Sequence, residues 1–141
     1  MQRKRLDGVY IPGETRIGVA TAFNRFVIYN KTTGKYEPCG DGLDANGLVE
    51  NDLVSKNLDD TARTGYIDGD LANVKIAGIG YVEVGEAVEP NDYLQSGDDG
   101  IGMKYIFPNT NVENQPKILK AKVIEGAAIN KLALVALLNM G

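Results

Sequence analysis

The chain has 141 residues, a net charge of −4 and no histidine, and Cys39 is its single cysteine. A domain of that length hides roughly two thirds of its unfolded surface, so it needs no metal or disulfide to fold; a zinc site and a Ser-His or Cys-His catalytic pair are excluded. No run of 18 apolar residues is present, which excludes a membrane-spanning helix, and the acidic balance disfavours nucleic acid as a partner.

Residues 1–16 are predicted to form an extended N-terminal arm that is basic at its start and apolar in its centre. The residues with these properties are Arg3, Lys4, Arg5, Val9, Tyr10 and Ile11. Without the first three, the chain carries 12 basic against 19 acidic residues, so the arm is a basic tip on an acidic body. Two interpretations stay open: a frayed terminus, or a segment that adds a strand to the sheet of a partner protein.

Residues 17–141 are predicted to form one all-β domain that resembles a small barrel. The first hairpin runs from Arg25 to Glu37, because a β-branched and aromatic run is followed by a polar turn that ends at Gly34. Residues 40–51 are rich in turn formers, which indicates a surface loop. Residues 57–63 carry a capping residue and early acids, which permits at most one short helix.

Residues 74–94 are the centre of the predicted fold. Apolar and charged residues alternate there with the period of a half-buried strand, and two glycines between the alternating parts indicate a bend. The charged member of one such alternation, Lys75, is predicted to point outward and to protect a strand edge against aggregation. The same prediction applies to Lys120 and Lys122.

A turn over residues 89–92 leads into a second hairpin, Tyr93 to Phe107, because Pro, Asn and Asp favour turns. Two further strands are predicted at residues 118–124 and 132–138. The last strand is apolar at every position. Both of its faces are therefore expected to be buried, either in the barrel or in a subunit contact.

Two glycine-rich motifs resemble ligand sites but lack essential positions. Gly78–Gly80 begins like a dinucleotide-binding loop, yet Glu83 occupies the place of the third glycine. Residues 41–47 resemble half of a calcium loop, yet Gly42 and Leu53 fall where ligating side chains are required. A bend in the strand explains the first run and turn chemistry explains the second. No metal or cofactor is predicted.

Residues 65–70 share the pattern Gly-any-Ile-Asp with the dUTPases, which are trimeric all-β enzymes. In that resemblance Asp68 would activate water. Leu71 stands where the family has a tyrosine, and the Gly-rich C-terminal arm of the family is absent from this sequence. Despite these two departures, a trimeric β-fold nucleotide hydrolase is an alternative function.

The order of parts in the central and final thirds resembles the small capsid decoration (cement, or head-stabilising) proteins of tailed bacteriophages. That family has a Gly-containing strand, a Val-rich strand, a V-x-x-G-D-x-L segment, a D-x-D-G turn and a closing Ala/Val/Leu strand. The corresponding residues here are 77–84, 88–94, 96–100 and 121–138, and the first hairpin matches through Arg25–Val27 and Gly34–Tyr36. Asn91 replaces the usual glycine before Asp92, and asparagine tolerates the same left-handed backbone.

The resemblance implies an all-β, β-tulip-like barrel on the exterior of the virion, made in the host cytoplasm, that clamps neighbouring subunits of the major capsid protein. It implies a homo-trimer whose work is binding. The composition agrees with this, since it predicts a protein that is not an enzyme and has neither nucleic acid nor membrane as a partner. The predicted capsid contacts are Arg3, Lys4, Arg5, Val9, Tyr10 and Ile11. A tail or baseplate structural module of the same viruses is a further alternative.

Overall fold

The computed structural model describes residues 8–51, 63–105, 118–138 and 140. Within these ranges the fold is all-β, as predicted, and the helical content is one 3-10 turn, Asp98–Gly100. Apart from Arg63, the possible helix at residues 57–63 lies outside the described residues. The strands are β1 (Gly8–Tyr10), β2 (Thr21–Ala22), β3 (Arg25–Asn30), β4 (Lys35–Pro38), β5 (Gly47–Val49), β6 (Gly65–Tyr66), β7 (Lys75–Glu83), β8 (Tyr93–Ser96), β9 (Gly102–Lys104), β10 (Leu119–Glu125) and β11 (Leu132–Leu137).

Strand β7 joins the two halves of one curled sheet. The strand order is β4-β3-β5-β7-β11-β10-β8-β9, and β1 also pairs with β7. Strands β1 and β5 pair with residues 75–78 of β7, whereas β11 pairs with residues 79–83. Gly78 has a φ of +96° where the partner strands change, a backbone conformation that glycine adopts without steric cost. The two short strands predicted on either side of a bend are thus one nine-residue strand, and Gly78 is its only residue with a positive φ.

Strands β3 and β5 separate two hydrophobic cores, because successive residues of a strand point to opposite faces. Phe26 and Leu48 lie in the core shared with β8, β10 and β11, while Val27 and Val49 lie in the other core. The prediction that residues 40–51 form a surface loop is wrong for β5, which is fully buried. Three residues are too few for a periodic signal to appear in the sequence.

Two of the three lysines predicted to point outward are buried instead. Lys75 is covered by Tyr10 of β1, and its Nζ lies 2.6 Å from Glu50 Oε1. Lys120 lies at a register shift between β8 and β10, and its Nζ donates a hydrogen bond of 2.5 Å to Asp44. The shifted register leaves Lys120 and Ala121 both buried, which a strict alternation cannot predict. Lys75 keeps the alternation and is buried because Gly8 and Tyr10 of β1 pack against its side chain.

The predicted hairpins and closing strands are confirmed, except that residues 106 and 107 at the end of the second hairpin lie outside the described residues. Gly34 ends the β3–β4 turn with a φ of +71°, and the 3-10 turn joins β8 to β9. Asn91 has a φ of +74°, so it adopts the left-handed backbone expected of the residue before Asp92. The backbone N–H of Asn91 bonds to Val123 O at 2.9 Å, which fixes this turn against β10.

We expect replacement of Lys75 by methionine to lower the free energy of unfolding by about 3 kcal/mol, because it leaves the Glu50 carboxylate without its ammonium partner. Lys122 offers a matched control. It is half-buried with its Nζ 5.6 Å from the Tyr93 ring, a contact worth under about 1 kcal/mol, and Lys122→Met is expected to cost no more than that. Urea denaturation measures both variants, and equal losses would contradict the different burial of the two lysines.

Candidate functional site

The apolar centre of the predicted arm lies along the sheet of its own chain. Gly8, Val9 and Tyr10 pair with Gly78, Ala77 and Lys75 of β7, with a register shift between Val9 and Tyr10. This in-chain pairing differs from both interpretations of the sequence, a frayed terminus and a strand added to a partner. The basic residues Arg3, Lys4 and Arg5 lie outside the described residues. The boundary between an arm at 1–16 and a domain at 17–141 stays a prediction.

The three apolar arm residues have different surroundings. Val9 is 55% exposed although its backbone pairs with Ala77 of β7. Tyr10 places its ring 5.5 Å from Lys75 Nζ, and Ile11 packs against the core that contains Val74. Val9 is therefore available to a binding partner, whereas Tyr10 and Ile11 hold the segment in place.

The Lys75–Glu50 ion pair connects β1, β7 and the end of β5. Lys75 Nζ also donates to Ile79 O at 2.8 Å, and the second carboxylate oxygen of Glu50 accepts from the Tyr81 backbone N–H at 2.9 Å. A side chain on Gly8 would lie within 2.8 Å of Lys75 Cε, so β1 packs directly on the lysine stem. Both charged groups bond to other atoms of the protein, so the role of this ion pair is to connect the strands.

A second surface is formed by the outward side chains of β7, β11 and β10. Inward-facing Ala133, Val135 and Leu137 belong to the core, but the alternate positions of β11 are apolar as well. We call this surface the outer apolar face, and it comprises Ile79, Tyr81, Ile124, Leu132, Leu134 and Ala136. Within this chain, the expectation that both faces of the closing strand are buried thus holds for one face.

Sequence reasoning found part of the outer apolar face and missed the rest. The uniform apolar character of residues 132–138 predicted that both faces of this strand are buried, either in the barrel or in a subunit contact. Tyr81 joins the face because it pairs with Leu134, and Lys122 borders it because it pairs with Ala136. These neighbours depend on strand register, which no local motif encodes.

In the turns that resemble ligand sites, the aspartate carboxylates bond to other side chains of the protein. Asp41 accepts from Gln95 Nε2 at 3.2 Å, and Asp44 pairs with Lys120. Asp68 lies in an exposed turn, where it pairs with Lys35 at 3.1 Å. Across residues 8–51, 63–105, 118–138 and 140, no group of three or more Cys, Asp or Glu residues is arranged to hold a metal ion.

The Cys39 thiol has the surroundings of a core residue. Burial raises its pKa, although a hydrogen bond with Ser96 and the charge of Lys120 act in the opposite direction. A raised pKa keeps the thiol protonated at neutral pH, where a nucleophile requires the thiolate. In the part of the chain that the structure describes, no helix is both long and apolar enough to cross a membrane.

Asp70 organises the turn that follows β6. Arg63 donates to its carboxylate, and the Ile67 backbone N–H donates to Asp70 Oδ2 at 2.8 Å. Burial alone would raise the pKa of Asp70, but these hydrogen bonds and the Arg63 charge together lower it below its ordinary 3.8. The carboxylate that the structure engages most closely in this loop is thus Asp70, whereas Asp68 of the dUTPase-like motif remains exposed.

Comparison with known proteins identifies a fold relative. No family model matches the chain, and no curated protein matches it. Among solved structures, the chain is similar to the N base of the head fiber gp8.5 of bacteriophage phi29, with a TM-score of 0.61 and 17% sequence identity. The similarity covers 92% of this chain and 95% of that one, so the two proteins share their fold over nearly their whole lengths.

We expect Asp70→Asn to lower the free energy of unfolding by about 2 kcal/mol at pH 7, since hydrogen bonds to a charged group are lost. The folded-state pKa of Asp70 lies below its unfolded value. The stabilisation is therefore complete above pH 3.8 and disappears as the pH falls through the folded-state pKa.

Urea denaturation of the wild type and of Asp70→Asn at a series of pH values from 7 to 2 checks this expectation. The difference between their free energies of unfolding should disappear at the acidic end. Asp68→Asn is the matched control in the same turn. Its exposed ion pair with Lys35 is worth under about 1 kcal/mol. If Asp70→Asn loses the same free energy of unfolding at every pH in this range, the lowered folded-state pKa of Asp70 is contradicted.

Proposed function

We propose that this protein is a structural component of a phage head that binds the outer surface of the capsid and clamps neighbouring major capsid subunits. The observation that carries the proposal is its likeness in fold, at a TM-score of 0.61, to the base of a phage head fiber. The order of strands and turns in the sequence, which resembles capsid decoration proteins of tailed phages, supports the same conclusion.

The proposed contact surface is the N-terminal segment, with its residues in two roles. Arg3, Lys4 and Arg5 supply positive charge for an acidic surface of the shell, and Val9 supplies an exposed apolar side chain next to them in the chain. Tyr10 and Ile11 act by fixing this segment to β7, since both pack within the chain. An N-terminal segment of this kind can connect two capsid subunits, because it extends from a domain bound to one subunit and contacts the neighbouring one.

Several copies strengthen such a clamp. A homo-trimer, which the sequence resemblance implies, would present three N-terminal segments to the shell at once. Once one segment is bound, the others meet their sites at a high effective concentration, so weak contacts add to a stable attachment.

The enzymatic alternative has little support among the described residues. Asp68 is exposed in a turn and pairs with Lys35, and within the described ranges no metal-binding group of acids lies around it. A Mg²⁺-dependent nucleotide hydrolysis assay tests this alternative directly. Turnover that Asp68→Asn abolishes would replace the structural proposal with an enzymatic one.

We expect the purified full chain to co-sediment with empty heads of the phage that encodes it, and to saturate at a fixed number of copies per head. Arg3→Ala, Lys4→Ala and Arg5→Ala combined should weaken binding roughly tenfold or more, and the wild-type affinity should fall as salt is raised. Val9→Asp should weaken binding as well, since it places a charge in the apolar part of the contact.

The matched control removes three positive charges from other surface positions, through Lys31→Ala, Lys35→Ala and Lys131→Ala combined. It changes the net charge equally and should bind as the wild type does. Equal weakening by both triple variants would remove the specific role of the N-terminal segment. Failure of the wild type to bind heads, or its binding to isolated tails instead, would refute the head location and favour the tail or baseplate alternative.

A further inference from the structure

Asn46 and Gly47 form the only Asn-Gly pair in the sequence, at the point where the chain enters β5. In such a pair the backbone nitrogen of glycine can attack the side-chain carbonyl carbon of asparagine, because glycine has no Cβ to hinder the approach. A five-membered succinimide ring forms, and the side-chain nitrogen leaves as ammonia. Water then opens the ring at either carbonyl, which gives aspartate or isoaspartate. One water is consumed and one ammonia is released, so the reaction needs no enzyme, metal or oxidant.

The fold requires both members of this reactive pair. A Cβ on Gly47 would clash with Val74 Cγ1 and would lie 2.9 Å from Lys75 O, so a larger residue does not fit here without movement of β7. The side chain of Asn46 is needed for a different reason, because its Oδ1 accepts a hydrogen bond of 2.7 Å from the Tyr29 backbone N–H. The Asn-Gly sequence is therefore kept at this position by packing and hydrogen bonding.

The same contacts protect Asn46 in the folded chain. Its side chain cannot turn toward the Gly47 nitrogen without breaking the hydrogen bond from Tyr29. Gly47 is buried and pairs with Val27 of β3, and β5 also pairs with β7. Ring closure therefore requires β5 to separate from its neighbours first. The rate in the folded protein should equal the rate in the unfolded chain multiplied by the population of the open state.

The two products differ in their effect on β5. Aspartate leaves the main chain unchanged, and its carboxylate can accept the hydrogen bond from the Tyr29 N–H. Isoaspartate takes the main chain through the side chain, which inserts one additional carbon atom before Gly47. Leu48 and Val49 are fully buried in the two hydrophobic cores, and the inserted atom moves both out of register with β3. The isoaspartate form therefore cannot restore β5 to its native position.

We propose that Asn46 is a site of spontaneous deamidation that opening of β5 exposes, and that isoaspartate formed there prevents the strand from returning to the sheet. The modification converts a reversible opening of the fold into a permanent one, and it limits the lifetime of the folded protein. This inference does not depend on capsid binding, because it follows from the chemistry of the pair and from the contacts of β5 within the chain.

Incubation of the purified full chain at mildly alkaline pH tests the proposal, with one sample in buffer and one in urea above the unfolding midpoint. Mass spectrometry and chromatography of the peptide that contains Asn46 distinguish asparagine, aspartate and isoaspartate. Conversion should be roughly a hundredfold or more slower in buffer than in urea. In buffer, Lys75→Met should accelerate it roughly tenfold or more, since it removes the ion pair that connects β5 to β7. Lys122→Met is the matched control and should change the rate by a few-fold at most.

The isoaspartate form supplies a second test that does not depend on reaction rates. Isolated after incubation in urea and returned to buffer, it should have a lower free energy of unfolding than Asn46→Asp, which carries the same charge on an unchanged main chain. Asn46→Ser has no side-chain amide and should form no isoaspartate at this position.

Three results would overturn the proposal. The first is conversion at Asn46 that is absent in urea or as fast in buffer as in urea. The second is an equal rate in buffer for Lys75→Met and Lys122→Met. The third is an isoaspartate form that is as stable as Asn46→Asp.

Discussion

The structure depends on β7, a single strand that serves both halves of the sheet. Its first residues pair with β1 and β5, and its last five pair with β11, with a positive φ at Gly78 where the partners change. The buried Lys75–Glu50 pair lies at this joint and connects three strands. Removing both charges from water is costly, so the pair is tolerated because Ile79 O and the Tyr81 N–H complete its hydrogen bonds.

This joint explains how the N-terminal segment and the outer apolar face relate to each other. Strand β1 adds to β7 beside the ion pair, which leaves Val9 exposed and Tyr10 packed over the lysine. Strand β11 continues along the same strand and turns alternate side chains outward. One strand thus supports both the N-terminal segment, which is proposed to contact the capsid, and the outer apolar face.

The sequence predicts the elements that depend on local chemistry. The hairpin turns at Gly34 and Asn91, the closing strand and the all-β class all follow from residues close together in the chain. Burial of Lys75 and Lys120 could not be predicted, because it depends on Glu50, Asp44 and strand pairings between residues distant in sequence. The outer apolar face could be predicted only in part. The apolar composition of β11 can be read from consecutive residues, but its pairing with Tyr81 joins residues distant in sequence.

Native-state hydrogen exchange tests the central role of β7 most directly, because it measures the opening free energy of each strand separately. If β7 joins both halves of the sheet, its bonded amides and those of β11 should open only with global unfolding. Amides of the β3–β4 hairpin should open with a smaller free energy, since that hairpin is at one end of the strand order. Exchange from β7 through local openings, while the β3–β4 hairpin stays protected, would contradict the account.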